Sequence, residues 1–237
     1  GPLAVNPLVL GANIENLVIL GGSGKITGNA LDNTITGKGA DNVIEGGGGN
    51  DTLQGSFGND TLTDSGGNNL IDGGAGNDTM KGGTGNDTYV VDSGDGILAG
   101  FDTITDSGGT ADTVQSNVNT YTLATGLENL TLMANAFNGT GNAGNNKITG
   151  KANNNVLDGT GGNDTLDGGT GKDTMIGGTG DDTFNVDNVG DIVREDSVAG
   201  GGLKDTVIST ISYSLLDTDG SGGADTLGGG VENLTLA

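Results

Sequence analysis

Residues 73–92 read GGAGNDTMKGGTGNDTYVVD, in which nearly the same nine residues occur twice in succession. Each copy begins with two glycines and has an aspartate at its sixth position. The eighth position is apolar, Met80 in the first copy and Tyr89 in the second. Glycine permits positive φ, so six such residues can form a tight turn whose carbonyl groups point the same way. The three residues after the turn suffice for a minimal strand whose middle side chain points inward. The repeat therefore predicts short turns that alternate with short strands.

The nine-residue period extends over two long stretches of the chain. The apolar position recurs at Ile26, Ile35, Ile44, Leu53, Leu62, Ile71, Met80 and Tyr89, and again at Ile148, Leu157, Leu166, Met175 and Phe184. A disordered chain, which the composition would also suit, has no reason to keep such a register. One unit buries one side chain, so two units are needed for a coil and several stacked coils for a core. We predict an all-β fold, a parallel β-roll (a β-helix-like solenoid) of two consecutive modules.

The composition restricts the possible functions. Glycine accounts for 51 of 237 residues, about three times its ordinary share. The net charge of −23 disfavours binding to nucleic acid and makes cations the natural partners. Without cysteine or histidine, the chain has no disulfides, no thiolate or imidazole zinc site and no histidine-dependent catalytic triad. No apolar run is long enough for a membrane span. We predict that the chain is not an enzyme and has no catalytic residues.

A second column of residues lies two positions before the apolar one and consists of aspartate and asparagine. Stacking the coils places every second turn directly above its predecessor, so that carboxylates and carbonyl oxygens converge along each edge of the roll. Such a column is repulsive unless a cation fills it. Ca²⁺ takes six to eight hard oxygen ligands in a loose geometry, whereas Mg²⁺ demands a strict octahedron. The pattern therefore predicts several bound Ca²⁺ ions.

The units at residues 46–54, 73–81, 82–90, 168–176 and 177–185 resemble the nonapeptide of the RTX (repeats-in-toxin) family, the hemolysin-type calcium-binding repeat with the pattern GGxGxDx-apolar-x. The resemblance covers most of residues 21–98 and 141–193. It implies that the turns bind Ca²⁺ through backbone carbonyls and the aspartate, and that neighbouring stacked turns share each ion.

The same resemblance implies a biological role. The chain is expected to be a calcium-binding structural module of a larger, secreted bacterial protein, exported unfolded by a type I machine, which folds on Ca²⁺ outside the cell. The alternative is a Ca²⁺-dependent module that binds polysaccharide or a cell surface, as part of an adhesin, a surface-layer protein or an accessory enzyme. The expected location in both cases is extracellular or at the cell surface.

The family pattern also assigns site residues. It pairs aspartates eighteen residues apart, and the best sites are expected at Asp60 with Asp78, Asp164 with Asp182, and Asp173 with Asp191. Asp95 is expected to face Asp78 from the shorter closing turn of the first module. The full set of expected side-chain ligands is Asp51, Asp60, Asp78, Asp87, Asp95, Asp164, Asp173, Asp182, Asp191 and Asn69. The expected backbone ligands are Gly46, Gly47, Gly49, Gly55, Phe57, Gly58, Gly73, Gly74, Ala75, Gly76, Gly82, Gly83, Thr84, Gly85, Gly159, Gly161, Gly162, Gly168, Gly169, Thr170, Gly171, Gly177, Gly178, Thr179 and Gly180.

Asparagine in the acidic column predicts a different kind of turn. An amide oxygen can bind a cation but brings no charge, so sites beside Asn69 are expected to be weaker or empty. The early turns of both modules are expected to be held by amide hydrogen bonds rather than by metal. These turns end in Asn33, Asn42, Asn146 and Asn155.

Three copies of an apolar-Glu-Asn-Leu phrase, at residues 14–17, 127–130 and 231–234, suggest the domain boundaries. Residues 14–126 are expected to form the first module with a trailing strand segment, and residues 127–230 the second module with its own trailing segment. Residues 1–13 are expected to be a tag-removal scar and leader, and residues 231–237 the start of a further copy or a cap. The segments at 99–126 and 194–230 either cap the rolls or continue them.

Overall fold

The computed structural model describes residues 8–20, 24–92, 102–134, 136–194 and 204–211, together with the backbone of residues 233–236. Every regular element in this part of the chain is a β-strand, and none of these residues belongs to a helix that could cross a membrane. The chain divides into two compact units, Gly1–Asn117 and Val118–Ala237.

Most strands are three residues long, because the repeat uses its other six residues for the turn. The strands of the first unit are β1 (Leu8–Val9), β2 (Asn16–Val18), β3 (Lys25–Thr27), β4 (Thr34–Thr36), β5 (Val43–Glu45), β6 (Thr52–Phe57), β7 (Thr61–Thr63), β8 (Leu70–Ala75), β9 (Thr79–Lys81), β10 (Thr88–Val91), β11 (Thr103–Ile104) and β12 (Thr113–Ser116). The strands of the second unit are β13 (Thr120–Thr122), β14 (Asn129–Leu132), β15 (Asn138–Thr140), β16 (Lys147–Thr149), β17 (Val156–Asp158), β18 (Thr165–Asp167), β19 (Thr174–Ile176), β20 (Thr183–Val186), β21 (Ile192–Arg194), β22 (Thr206–Ser209) and β23 (Asn233–Leu236).

Successive strands of the first unit alternate between two parallel sheets. The odd strands β1 to β11 lie side by side in chain order, and so do the even strands β2 to β12. Ile26 aligns with Ile44, and Ile44 aligns with Leu62, so each coil advances by eighteen residues. The predicted parallel β-roll and its eighteen-residue coil are confirmed.

The second unit repeats this arrangement. The odd strands β13 to β21 form one parallel sheet, and the even strands β14 to β22 follow one another in the other sheet, with β23 beside β22. Leu130 aligns with Ile148, which aligns with Leu166 and then with Phe184. The second unit is therefore a β-roll with the same coil length.

The described parts of the trailing segments continue the rolls. Ile104 aligns with Met80, and Val114 aligns with Tyr89, so β11 and β12 add to the two sheets of the first unit. In the second unit, β22 pairs with β20. These coils are longer than eighteen residues, because the chain between the strands contains additional residues.

The core of each roll is a narrow stack of inward side chains. In β5 the side chain of Ile44 is fully buried, whereas its neighbour Val43 is 40% exposed. The same alternation holds along the whole column, in which the largest buried side chains are Tyr89 and Phe184. Because each repeat contributes about one such side chain, apolar burial per coil is small, and the turns must add to the stability of the fold.

Candidate calcium sites in the turns

The aspartate that ends a turn lies directly before a strand and is buried. Asp60, which precedes β7, is 1% exposed. Its backbone N–H donates to Oδ1 of Asp78, one coil further along the chain, at an N···O distance of 2.7 Å. One carboxylate oxygen therefore joins two stacked turns.

The same hydrogen bond recurs along both edges of each roll. Its N···O distance is 2.6–3.0 Å in the pairs Asn33–Asp51, Asn42–Asp60, Asp51–Asn69, Asn69–Asp87, Asn146–Asp164, Asn155–Asp173, Asp164–Asp182 and Asp173–Asp191, where the first residue donates. Together with Asp60–Asp78, the structure thus brings together the three aspartate pairs named from the sequence.

The second oxygen of most of these carboxylates has no hydrogen-bond donor. Asp191 is the exception, because its Oδ2 accepts from the N–H groups of Asp187 and Asn188 at 3.2 and 3.0 Å. The Oδ2 atom is buried and unpaired in Asp51, Asp60, Asp78, Asp87, Asp164, Asp173 and Asp182. A buried polar atom without a partner is costly, and a buried charge is more so. A row of such oxygens along each edge indicates that a cation belongs beside them.

Carbonyl oxygens converge on the same places. Gly55 begins the turn that ends at Asp60, and the space where a Cβ would stand on Gly55 is taken by Oδ2 of Asp60 and the carbonyl oxygen of Gly73. The second unit repeats this at Gly159, where Oδ2 of Asp164 and the carbonyl oxygen of Gly177 take that space. These are hard oxygen donors from two stacked turns, which fits the ligand set of Ca²⁺.

Close stacking of the turns depends on glycine. Gly76 has φ of 147°, and a Cβ on it would collide with the carbonyl oxygen of Gly58, one coil earlier. A side chain at this position would be strained and would also separate the two turns whose oxygens converge.

The surroundings of the buried aspartates oppose ionisation of their carboxyl groups. Burial raises the pKa of Asp78 to about 6 and that of Asp164 to about 7, although a backbone N–H donor partly offsets the shift. The neighbouring carboxylates of Asp60 and Asp182 contribute to these raised pKa values. A divalent cation at the same place would favour the charged form of each carboxylate.

The turns that end in asparagine close without such an orphaned oxygen. Oδ1 of Asn33 accepts from the N–H of Asn29, within its own turn, at 2.8 Å, while Nδ2 of Asn33 donates to the carbonyl of Ile14 at 3.3 Å. In the second unit, Oδ1 of Asn146 accepts from the N–H of Asn142 at 2.7 Å, and Nδ2 of Asn146 donates to the carbonyl of Leu127 at 3.1 Å. Within their own turns, Oδ1 of Asn42 and of Asn155 accepts from the backbone N–H of Lys38 and of Lys151. The amide supplies its own donor, so these turns are held by hydrogen bonds.

Asn69 lies between two aspartates, Asp51 and Asp87, in the stack of turns along one edge. Its Oδ1 accepts from the N–H of Asp51 at 2.8 Å, as an aspartate would. Its Nδ2 donates to the carbonyl of Gly82 at 3.3 Å. The amide therefore competes with a cation for this carbonyl oxygen, while contributing no charge.

Comparison with known proteins agrees with this geometry. A family model described as the RTX calcium-binding nonapeptide repeat (4 copies) matches residues 27–62, 54–89, 63–98, 140–175, 149–184 and 158–193, which together exceed half of the chain. The chain belongs to the RTX calcium-binding repeat family. No curated protein and no solved structure matches it. With its stacked oxygen-lined turns, the chain is an RTX calcium-binding repeat module.

Three further aspartates of the RTX rolls occupy the turn-ending position but were missed in the sequence. Oδ1 of Asp102, Asp112 and Asp205 accepts from the N–H of Asp78, Asp87 and Asp182, at 2.9, 2.7 and 2.8 Å. The separations are 24, 25 and 23 residues, so an eighteen-residue step passes over them. Each of the three is followed by threonine and an apolar residue, as the repeat aspartates are. That triplet was the signal that could have found them.

Asp95 lies outside the described residues, and the carboxylate that contacts the N–H of Asp78 is that of Asp102. Oδ2 of Asp102 is buried and unpaired, like that of the repeat aspartates. The residues expected to supply carbonyl ligands are all described, either in turns or in the last three residues of β6 and β8. Some of those carbonyls already accept a backbone N–H from the previous coil, since Thr84 and Thr179 accept from Gly67 and Gly162 at 2.9 and 2.8 Å.

Proposed function

We propose that this RTX module is a calcium-dependent structural element of a secreted bacterial protein and that it folds when it meets Ca²⁺ outside the cell. The observation that carries the proposal is the row of buried, unpaired Oδ2 atoms along the edges of both rolls. The set of turn residues given above as expected ligands is proposed to hold the ions. Several ions are needed, because the orphaned oxygens recur at successive coils.

The energetics favour coupling of folding to the metal. The chain carries a net charge of −23 and draws little apolar burial from each coil, so the ion-free roll combines repulsion with a thin core. The free energy of metal binding then becomes folding free energy. Sites of extracellular modules are tuned to about 10⁻⁴–10⁻³ M Ca²⁺, so a cytosol poor in Ca²⁺ would leave the chain unfolded. An unfolded chain is the form that type I export is expected to carry.

A structural role is proposed rather than a catalytic one. Most of the aspartates whose Oδ2 atom is buried without a donor end successive turns. They repeat along the coils instead of gathering at one isolated site. Such a repeated scaffold presents ions and flat strand faces, and catalysis would need a separate site grafted on it.

The proposal is tested by far-UV circular dichroism on the metal-free chain during a Ca²⁺ titration, with reversal by EDTA. The expected result is a gain of β signal and of melting temperature with Ca²⁺, and their loss with EDTA. Mg²⁺ at the same concentrations serves as the control and is expected to do much less. A metal-free chain that already has the full β signal, and whose melting temperature does not respond to Ca²⁺, would contradict the proposal.

A further inference from the structure

The sequence Asp-Ser-Gly-Gly occurs at residues 64–67 and again at 106–109, in turns of the same edge of the first roll. Asp64 stands eighteen residues from Gly46 and from Gly82, so it takes a position that glycine holds in the neighbouring coils. The two Asp-Ser-Gly-Gly turns also make the same contact to the coil before them. Ser65 Oγ donates to the carbonyl of Gly47 at 2.9 Å, and Ser107 Oγ donates to that of Gly83 at 3.0 Å.

The carboxylate of Asp64 is aimed into the site of another turn. Asp64 is 6% exposed, and its Oδ1 accepts from the N–H groups of Ser65 and Gly66 at 2.6 and 2.9 Å. Its Oδ2 is buried and has no donor, and the same is true of Oδ2 of Asp51. Both of these oxygens enter the space where a Cβ would stand on Gly46. Two carboxylate oxygens therefore meet at one place with no donor between them.

The second Asp-Ser-Gly-Gly turn also brings carboxylates together, but the space where a Cβ would stand on Gly82 is taken by Oδ2 of Asp87 and the Tyr89 hydroxyl rather than by Asp106. Asp106 offers a carboxylate oxygen within 4.8 Å of carboxylate oxygens of Asp87 and Asp112. Oδ2 of Asp87 is buried without a donor. Asp106 is held in place, because its Oδ1 accepts from the Tyr89 hydroxyl at 2.9 Å and its Oδ2 from the N–H of Gly108 at 3.0 Å.

We propose that Asp64 and Asp106 are additional Ca²⁺ ligands, each adding a carboxylate to the site of the turn one coil earlier, which ends in Asp51 or Asp87. This inference rests on the proposed calcium-dependent function and goes beyond the nonapeptide pattern, which has glycine at this position. Asp64 and Asn69 belong to the same turn, so the charge that Asn69 lacks is restored five residues earlier. The site beside Asn69 is then a two-carboxylate site rather than a weak or empty one, because ligand charge tunes the Ca²⁺ affinity.

The test uses the complete chain and compares Asp64→Asn with Asp32→Asn. Asp32 is exposed, its Oδ1 accepts from the N–H of Asn50 at 2.7 Å, and its charge acts on Asp51, but its carboxylate is not among the oxygens that meet above Gly46. Both changes remove one charge and keep an oxygen acceptor. Isothermal titration calorimetry is expected to show at least a tenfold weaker site, or one ion fewer, in Asp64→Asn, and near wild-type binding in Asp32→Asn.

A rescue variant keeps the test independent of folding. Asp64→Gly combined with Asn69→Asp rebuilds the ordinary nonapeptide turn and is expected to recover the lost ion, whereas Asp64→Gly alone is not. Equal ion number and affinity in Asp64→Asn, Asp32→Asn and the wild type would overturn the proposal for Asp64. If the wild type itself bound no Ca²⁺, the proposed function would fail instead, so the two failures are distinguishable.

Tyr89 provides a separate readout at the second turn, since its hydroxyl contacts Asp106. Tb³⁺ substituted for Ca²⁺ near Asp106 is expected to emit when tyrosine is excited, and Tyr89→Phe is expected to remove most of that emission. Asp106→Asn is expected to lower the emission and the Tb³⁺ affinity, while Asp32→Asn leaves the Tyr89-dependent part unchanged. Unaltered emission and affinity in Asp106→Asn would overturn the assignment of Asp106.

Discussion

Oδ1 of Asp78 accepts a 2.7 Å hydrogen bond from the N–H of Asp60, while Oδ2 of the same carboxylate is buried without a partner. One side chain thus joins two coils and offers a charge to an ion. Asp78→Asn keeps an oxygen acceptor for the N–H and removes the charge. We expect this variant to bind at least one Ca²⁺ fewer and to melt at a lower temperature in Ca²⁺, as measured by calorimetric titration and thermal melts.

Asp41→Asn is the matched control, because exposed Asp41 accepts the N–H of Asn59 across the same eighteen-residue step at 2.8 Å. It removes the same charge outside the site and is expected to keep the wild-type ion number. A similar loss of Ca²⁺ in both variants would mean that general charge, and not the buried oxygen, governs binding.

Filling the space above Gly55 should block a site, because a side chain there would displace two of the converging oxygens. Gly55 does not have positive φ, but a Cβ there would meet Oδ2 of Asp60 and the carbonyl oxygen of Gly73. Gly55→Ala is therefore expected to bind fewer ions and to melt earlier in Ca²⁺. Gly48→Ala is the control, since Gly48 also lacks positive φ and its Cβ would meet only the Cα of Ala30, at 3.9 Å. Equal ion counts in the two variants would refute a site at Gly55.

The pH dependence of stability should differ with and without Ca²⁺. Burial raises the pKa of Asp51, Asp102 and Asp164 from the ordinary value of 3.8 to about 7. Between these values the folded chain binds more protons than the unfolded chain, so its stability is greatest below about pH 4 and falls as the pH rises to about 7. The metal-free chain is therefore expected to gain β signal in far-UV circular dichroism as the pH is lowered from about 8 to about 5.

In saturating Ca²⁺ the trend should reverse, because protons and the ion compete for the same carboxylates. Calorimetric titrations at these two pH values are expected to show weaker Ca²⁺ binding at the lower one. A β signal of the metal-free chain that does not vary with pH would contradict the buried and unpaired state of the carboxylates.

Alanine substitutions at two neighbouring residues of β5 distinguish the contribution of core packing to stability from that of the exposed strand face. Ile44→Ala removes a fully buried side chain and is expected to lower the free energy of unfolding in Ca²⁺ by about 2–5 kcal/mol. Val43→Ala, on the exposed side of the same strand, is expected to cost less than about 1 kcal/mol. Chemical denaturation at fixed Ca²⁺ measures both, and equal costs would contradict the inward and outward alternation.

The regular part of the fold could be predicted because its periodicity is strict. Ile26, Ile44 and Leu62 recur every eighteen residues in the sequence and align as neighbours in one sheet. The role of Asn33 was predictable for a similar reason, since an amide carries both an acceptor and a donor and can close a turn by itself.

The irregular part could not be predicted from the period alone. Asp102 and Asp112 occupy turn-ending positions after coils of 24 and 25 residues, which a fixed step passes over. The role of Asp64 could not be predicted either, because the direction of its carboxylate depends on how the coil that contains it stacks on the turn that ends at Asp51. Loop length and inter-coil geometry are properties of the stack, and a single repeat does not encode them.

The asparagine turns give the assembly of each roll a starting point. Coils closed by Asn33 and Asn42, or by Asn146 and Asn155, have in-turn hydrogen bonds to the asparagine side chain and are expected to need no metal to complete their turns. Each presents an unpaired strand edge on which the next coil can template its own pairing. In a quasi-one-dimensional array, nucleation at such a coil is followed by propagation in which every added rung captures its ions. Growth of each roll would then run from the amino-terminal coils towards the carboxyl-terminal ones.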